Sequence, residues 1–184
     1  MNLVFGFLPF ILFYVLMRQS VDMALWVAFA TAFTLGIRSF LDTRVLKTLD
    51  AGNTGLFGAL ALFRGFIQPG LSLGTVLLVV DGGLLSLMIA SLIVQEPFTL
   101  QYAREQVARE TWSAGWFLRT NYVMTGVWTV ALAITTAADA AATIASAISV
   151  TAAVFAGLVA LAAALTFSLR YPAYLRIRGE TAPD

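Results

Sequence analysis

The acidic residue best placed for chemistry is Asp81, which is followed by Gly82 and Gly83 near the middle of a long apolar run. A carboxyl group near the centre of a bilayer costs ~2.5 kcal/mol or more, so we expect it to face the interior of a helix bundle. Two interpretations stay open. Asp81 either binds a proton, a cation or a cationic ligand group, or it ties two helices together by pairing with Arg64 of the preceding run.

A second polar set lies in a later apolar run, where Asn121, Thr125 and Trp128 follow one another at i, i+4 and i+7. This spacing places the three side chains on one face of a helix. Asn and Thr side chains can hydrogen-bond across to another helix in a membrane. The set is therefore either a polar intramembrane site or a structural contact between helices.

The longest polar stretch, residues 96–120, carries the third set. Thr99 is predicted to cap a short helix on which Glu105 and Arg109 stand at i,i+4. This helix either contacts anionic lipid or a partner protein, or is a solvated surface helix anchored by aromatic residues. The candidate contact residues are Tyr102, Arg104, Glu105 and Arg109.

Residue types that are missing exclude most familiar enzyme chemistry. The chain has no Cys and no His, which excludes disulfides, thiolate nucleophiles, imidazole bases, haem axial histidines and the usual zinc sites. No pair of carboxylates or other catalytic set converges on one membrane level. We therefore expect a protein that is not an enzyme, with no catalytic residues, no metal site and no cofactor.

The composition places these side chains in a membrane. Of the 184 residues, 60% are hydrophobic and 11% are charged, and the mean hydropathy is +0.87, whereas an average soluble domain has about 25% charged residues. A soluble fold of this size cannot hide so many apolar side chains from water. The net charge of +1 forms no basic stripe, which argues against nucleic acid as a partner.

The apolar runs predict an all-α integral membrane bundle of about six transmembrane helices with short amphipathic connectors on the cytoplasmic side. Residues 38–54 are predicted to be such a connector, and Asp139 is predicted to lie in a turn. Residues 1–170 are expected to form a single transmembrane domain and residues 171–184 a short cytoplasmic tail. The six predicted spans are residues 3–17, 23–37, 55–68, 71–94, 121–138 and 145–169.

Basic residues and small residues refine this arrangement. Six spans place nine of the eleven basic residues on one side, which predicts that this side, with both termini, is cytoplasmic. Small residues allow helices to approach closely in lipid. The last run carries a stripe of small residues at Ala152, Ala156, Ala160 and Ala164. This stripe either closes the bundle of one chain or forms the contact face of a homodimer.

A family resemblance rests on four short segments: Phe7-Leu8-Pro9, Asp22 before the second run, Asn121 to Trp128, and the string from Pro97 to Val107. The first three resemble intracellular septation protein A and its relatives among small bacterial inner-membrane proteins. The fourth is similar to a segment of other bacterial membrane proteins of this group, although septation protein A has no such Tyr-Ala-Arg-Glu string.

The resemblance implies a multi-pass protein of the bacterial inner membrane that acts through protein or lipid partners in envelope maintenance or septation. It carries over no catalytic residue. The alternative from the residues themselves is a small proton- or cation-coupled transporter that uses Asp81.

Overall fold

A computed structural model describes residues 6–178, except for the side chain of Arg176. Within this range the chain is mainly α-helical. Seven α-helices lie within this range, and two short 3₁₀ turns, Arg104–Gln106 and Arg109–Thr111, separate the fifth from the sixth. The helices are α1 (Leu8–Leu16), α2 (Val21–Thr43), α3 (Thr48–Leu62), which continues as a π turn (Phe63–Ile67), α4 (Leu73–Ile93), α5 (Phe98–Ala103), α6 (Gly115–Thr143) and α7 (Val150–Ile177).

Four of these helices are long and apolar enough to cross a membrane: α2, α4, α6 and, from Val150 to Leu175, α7. The all-α membrane class predicted from composition is confirmed, but six spans are not. Helix α1 has nine residues and is only ~14 Å long at 1.5 Å per residue. Helix α3 and its π turn run without a break from Thr48 to Ile67, about 30 Å by the same rise.

The predicted connector over residues 38–54 is wrong. Helix α2 starts at a Ser20 cap, whose hydroxyl oxygen accepts a hydrogen bond from the backbone N–H of Met23 at 3.3 Å, and it continues to Thr43. No Gly or Pro interrupts residues 38–43, and the helix ends only where Arg44 adopts a left-handed conformation, φ 57°. Since α3 begins at Thr48, the true connector is four residues long.

The chain forms two compact units, which divide between Leu87 and Met88 within α4. In the first unit, small residues bring α3 close to its neighbours. A Cβ atom added at Gly58 would lie 2.9 Å from Phe29 Cε2 of α2, and one added at Gly83 would lie 2.6 Å from Leu56 Cδ1 of α3. Helix α1 packs through aromatic rings on the same α3.

In the second unit, α6 and α7 form a long hairpin. A Cβ atom added at Gly157 of α7 would lie 2.7 Å from Thr135 Cγ2 of α6, so only glycine permits this approach. The buried small residues of α7 are Ala153, Gly157 and Ala164, whereas Ala152 and Ala156 of the predicted stripe are exposed. The predicted stripe therefore closes this hairpin only at its Ala164 end.

Both helices of this hairpin are longer than predicted. Asp139, expected in a turn, is buried inside α6, which ends at Thr143. Helix α7 passes through Pro172 and ends at Ile177 rather than Leu169. Alanine-rich sequence continues through residues 138–142, and the high helix propensity of Ala outweighs the single acid.

Candidate functional site

Asp81 lies in the middle of α4 and is 1% exposed. Its Oδ2 atom accepts a hydrogen bond from the hydroxyl of Tyr14 on α1, with an O···O distance of 2.6 Å. This distance lies at the short end of the range for hydrogen bonds between two oxygen atoms. The sequence analysis did not identify Tyr14 as a partner, because nothing in the spacing of the residues shows which helix packs on α4.

The predicted pair between Asp81 and Arg64 is wrong. Arg64 Nε lies 2.8 Å from Asp22 Oδ1, and the Arg64 guanidinium also donates to the backbone carbonyl of Leu71. Arg64 lies in the π turn at the end of α3, and Asp22 lies in the first turn of α2. Because α2 begins where α3 ends, the two charges meet at the same end of the hairpin.

The packing of α3 against α4 explains why Arg64 does not reach Asp81. Leu56 approaches Gly83 and, at the next contact, Gly52 approaches Leu87, so the helices run in opposite directions. This register places Asp81 level with the middle of α3, near Gly58. Arg64 is six residues further along, about 9 Å at 1.5 Å per residue.

A buried polar cluster at the other end of the α2–α3 hairpin was missed by the sequence analysis. Lys47 is 1% exposed, and Ser39, Asp50 and Asn53 are also buried. The Asn53 side-chain amide donates to the backbone carbonyl of Gly6 at 2.9 Å. The spacing of Lys47, Asp50 and Asn53 at intervals of three, which puts them on one helix face, was the signal that could have revealed it.

Aromatic rings separate this polar cluster from the Tyr14–Asp81 hydrogen bond. On α3, Phe57 lies one turn beyond Asn53, and its ring centroid is 4.9 Å from that of Phe10 and 5.8 Å from that of Phe13. Both partner rings lie on α1. The first unit therefore holds two distinct polar sites with a packed aromatic layer between them.

In the second unit, Asn121, Thr125 and Trp128 lie on one buried face of α6. The hydroxyl of Thr99 on α5 donates to the backbone carbonyl of Asn121 at 2.9 Å and lies 2.8 Å from Thr125 Oγ1. The indole N–H of Trp128 donates to Ser168 Oγ of α7 at 2.9 Å. These side chains thus join α6 to both of its neighbours in the unit.

The predicted cap at Thr99 is wrong. Helix α5 begins at Phe98, and Pro97 is its N-cap residue. The predicted helix over Glu105 and Arg109 is also wrong, because Val107 and Ala108 have extended backbones between the two 3₁₀ turns.

The arginines of the polar stretch converge on one indole ring. The Cζ atoms of Arg104 and Arg109 each lie 5.5 Å from the ring centroid of Trp112, within the range of cation–π attraction. Arg104 also donates to Glu96 at 2.8 Å, and the Trp112 indole N–H donates to the Arg104 carbonyl at 3.2 Å. We call these four residues the arginine–tryptophan cluster.

The remaining two predicted contact residues differ from each other. Tyr102 is 1% exposed, so it is part of the core and not of the surface that the sequence predicted. Glu105 is exposed. The half-buried indole rings of this stretch are those of Trp112 and Trp116.

The chain matches no family model, no curated protein and no solved structure. The resemblance to septation protein A stays a prediction.

One short motif occurs twice. Residues 9–14 and residues 97–102 both read Pro-Phe-x-Leu-x-Tyr. The first copy lies in α1, the second begins one residue before α5, and each short helix precedes a long helical hairpin in its own unit. Phe10 and Phe98, the second residue of each copy, are buried. The sequence analysis did not find this repeat, although the identical spacing of its four shared residues was a sufficient signal.

Proposed function

We propose that the protein is a multi-pass protein of the bacterial inner membrane that acts without catalysis, through lipid or protein partners, in envelope maintenance or septation. The observation that carries this proposal is the arginine–tryptophan cluster. Two guanidinium groups are held against one indole within a short, irregular segment between α5 and α6.

The cluster suits an anionic headgroup or an acidic partner. A guanidinium group presents several N–H donors in a plane and can bind a phosphate or carboxylate through two of them. Arg104 is already paired with Glu96, so the exposed Arg109 is the guanidinium group of the cluster that remains for a ligand. Indole rings are favoured at the level of lipid headgroups, where Trp112 holds both arginines in place.

The orientation follows from the basic residues. In this proposal the α2–α3 connector, the cluster and the C-terminus are cytoplasmic, because most Lys and Arg residues then lie on that side. Helix α1 contributes to the first crossing although it is short. Gly6 is level with Asn53 of α3, and Asp22 is level with Arg64, so residues 6–22 follow most of the length of α3.

The test compares two double variants that remove the same charge. Arg104→Ala with Arg109→Ala disrupts the cluster, whereas Arg38→Ala with Arg119→Ala removes two arginines outside it. We expect the first to reduce the retention of phosphatidylglycerol, measured by native mass spectrometry of the purified protein. Each arginine near a headgroup is worth about 1 kcal/mol, or roughly fivefold in affinity.

Two outcomes would contradict the proposal. An equal loss in the control variant would show that total charge, and not the cluster, attracts the lipid. A fall in the thermal stability of the cluster variant in detergent without anionic lipid would assign the two arginines to the fold.

A second candidate function is proton- or cation-coupled transport at Asp81. The observation that favours it is a buried carboxyl, hydrogen-bonded to Tyr14, in the middle of a helix long enough to cross a membrane. The structure also buries Asp50 near the start of α3 and Asp139 near the end of α6, so buried acids are more numerous than the sequence indicated.

Ion flux in proteoliposomes tests this candidate. Under an imposed proton or sodium gradient, Asp81→Asn abolishes flux if the carboxyl is the coupling group. The matched variant Asp42→Asn, at an exposed position of α2, retains flux. Equal flux in the wild-type protein, in Asp81→Asn and in empty liposomes would reject transport.

A further inference from the structure

An open apolar groove lies between α3 and α4 in the first unit. It has a volume of 370 Å³ and is lined by, among others, Ala59, Leu60 and Phe63 of α3 and Thr75 and Val79 of α4. Ala59 and Val79 are exposed, so the groove opens on the outer surface of this helix pair. In a bilayer, an apolar groove of this kind faces acyl chains rather than water.

The groove adjoins the ion pair between Arg64 and Asp22. Arg64 directly follows Phe63 of the groove wall, and its guanidinium donates to the carbonyl of Leu71, which also lines the groove. The Arg64 side chain is 13% exposed and that of Asp22 is 55% exposed. A positive and a negative group are therefore fixed side by side next to the groove.

A π turn builds this junction. The backbone N–H of Gln68 donates to the carbonyl of Phe63 at 2.9 Å, five residues back rather than four. Here the turn begins at a residue of the groove wall and contains Arg64.

The charges of this junction fit a zwitterionic headgroup better than an anionic one. An anionic headgroup would meet Arg64 but would be repelled by Asp22. A phosphoethanolamine headgroup offers a phosphate to the remaining N–H donors of Arg64 and a primary ammonium to the exposed carboxylate of Asp22. A choline headgroup has no N–H donor for that carboxylate.

We propose that the groove and the Arg64–Asp22 pair bind one phospholipid with a phosphoethanolamine headgroup. One acyl chain lies along the groove between α3 and α4. The headgroup lies at the end of the α2–α3 hairpin where Arg64 is located. The buried polar cluster that contains Lys47 and Asp50 lies at the opposite end. This site depends on the membrane location of the chain but not on the arginine–tryptophan cluster, which attracts anionic groups.

Native mass spectrometry of the full chain in detergent tests the site. The probes are phosphatidylethanolamine, phosphatidylcholine and phosphatidylglycerol with identical acyl chains, each added in a titration. The wild-type protein is expected to retain one phosphatidylethanolamine molecule in preference to phosphatidylcholine. Phosphatidylglycerol is compared in the variant with Arg104→Ala and Arg109→Ala, in which the arginine–tryptophan cluster does not contribute.

Two variants with the same substitution separate the groove from the general lipid surface. Ala59→Trp fills the groove from an exposed position and should weaken phosphatidylethanolamine binding by about tenfold, which corresponds to the loss of roughly two buried methylene groups. Ala30→Trp places the same side chain at an exposed position of α2 outside the groove. It should leave the binding unchanged.

Asp22→Asn tests the headgroup assignment without blocking the groove. It removes the negative charge beside Arg64, so the preference should shift from phosphatidylethanolamine to phosphatidylglycerol. Equal retention of the ethanolamine and choline lipids by the wild-type protein would overturn the proposal. So would unchanged binding in Ala59→Trp, or equal losses in Ala59→Trp and Ala30→Trp.

The result is also distinguishable from the test of the proposed function. Failure at the groove leaves the phosphatidylglycerol retention that depends on Arg104 and Arg109 unchanged. Failure of the arginine–tryptophan cluster leaves the discrimination between ethanolamine and choline headgroups unchanged.

Discussion

The hydrogen bond between Tyr14 and Asp81 can be removed by a single substitution that changes no other side-chain atom, so its contribution to the free energy of unfolding can be measured directly. Tyr14→Phe deletes the hydroxyl that donates to Asp81 Oδ2 at 2.6 Å and leaves the ring in place. Leaving a buried acceptor without its hydrogen-bond donor costs about 1–3 kcal/mol. We expect Tyr14→Phe to lower the free energy of unfolding by about this amount, because Asp81 is buried and loses a donor.

A double-mutant cycle isolates the pair. In Asp81→Leu no acceptor remains for the Tyr14 hydroxyl, so the Tyr14→Phe change should then cost less than about 0.5 kcal/mol. The expected coupling energy is therefore about 1 kcal/mol. Unfolding in mixed micelles can be followed by the fluorescence of the four tryptophans.

A control variant and a second cycle make the test sharp. Tyr122, 36% exposed on α6, loses its hydroxyl in Tyr122→Phe, which should cost less than about 0.5 kcal/mol. Arg64→Gln and Asp81→Asn should be additive within ~0.5 kcal/mol, since Arg64 pairs with Asp22. A neutral Tyr14→Phe variant would refute the assigned hydrogen bond, and strong coupling between Arg64 and Asp81 would restore the pair predicted from the sequence.

Two further predictions follow from helix packing and from the proposed orientation. Gly157→Ala should lower the free energy of unfolding by about 1–3 kcal/mol because its Cβ would meet Thr135 at 2.7 Å. The control Gly126→Ala, where no atom lies within 4 Å, should be neutral or stabilising. Equal effects of the two variants would contradict the close approach of α7 to α6 at Gly157. An impermeant thiol reagent in whole cells should label Gln19→Cys but not Val45→Cys or Gln106→Cys. All three positions are exposed in the structure. Labelling of Gln106→Cys would contradict the proposed orientation.

The sequence predicted helices well where their ends carry local signals. Helix α4 was expected over residues 71–94 and occupies Leu73–Ile93. Its start is marked by Pro69-Gly70, and its end is marked by the polar residues Gln95 and Glu96. The prediction failed over residues 38–54, where charge was taken as a sign of surface. Lys47 and Asp50 are instead buried, and Gly36 of α2 packs beside Asp50, a tertiary contact that no local pattern reveals.

Asp81 could be identified from the sequence as a candidate site residue, but the residue that hydrogen-bonds to it could not. Asp81 was identified because an acid inside an apolar run is costly wherever it lies. Its partner depends on which helix packs on α4 and at what level. The expected partner, Arg64, was wrong because the register of α3 against α4 places it about 9 Å from the level of Asp81.

The two short helices that contain the Pro-Phe-x-Leu-x-Tyr motif are each attached to a long helix by a hydroxyl group, although the hydroxyl comes from a different motif position in each. In the first unit, Tyr14 of the motif fastens α1 to the carboxyl of Asp81 on α4. In the second unit, Thr99, which occupies a variable position of the motif, attaches α5 to Asn121 and Thr125 on α6. In both units a short helix is attached by a hydroxyl group to a polar position on a long apolar helix.

This shared construction separates attachment from transport at Asp81. If the carboxyl serves only to hold α1, Tyr14→Phe and Asp81→Asn lower stability together, and no ion flux depends on either residue. If the carboxyl couples ion movement, Tyr14→Phe leaves it in place, so flux survives the loss of stability and disappears only in Asp81→Asn. Stability and flux measured on the same two variants therefore decide between the roles, because attachment involves both partners equally and coupling requires the carboxyl alone.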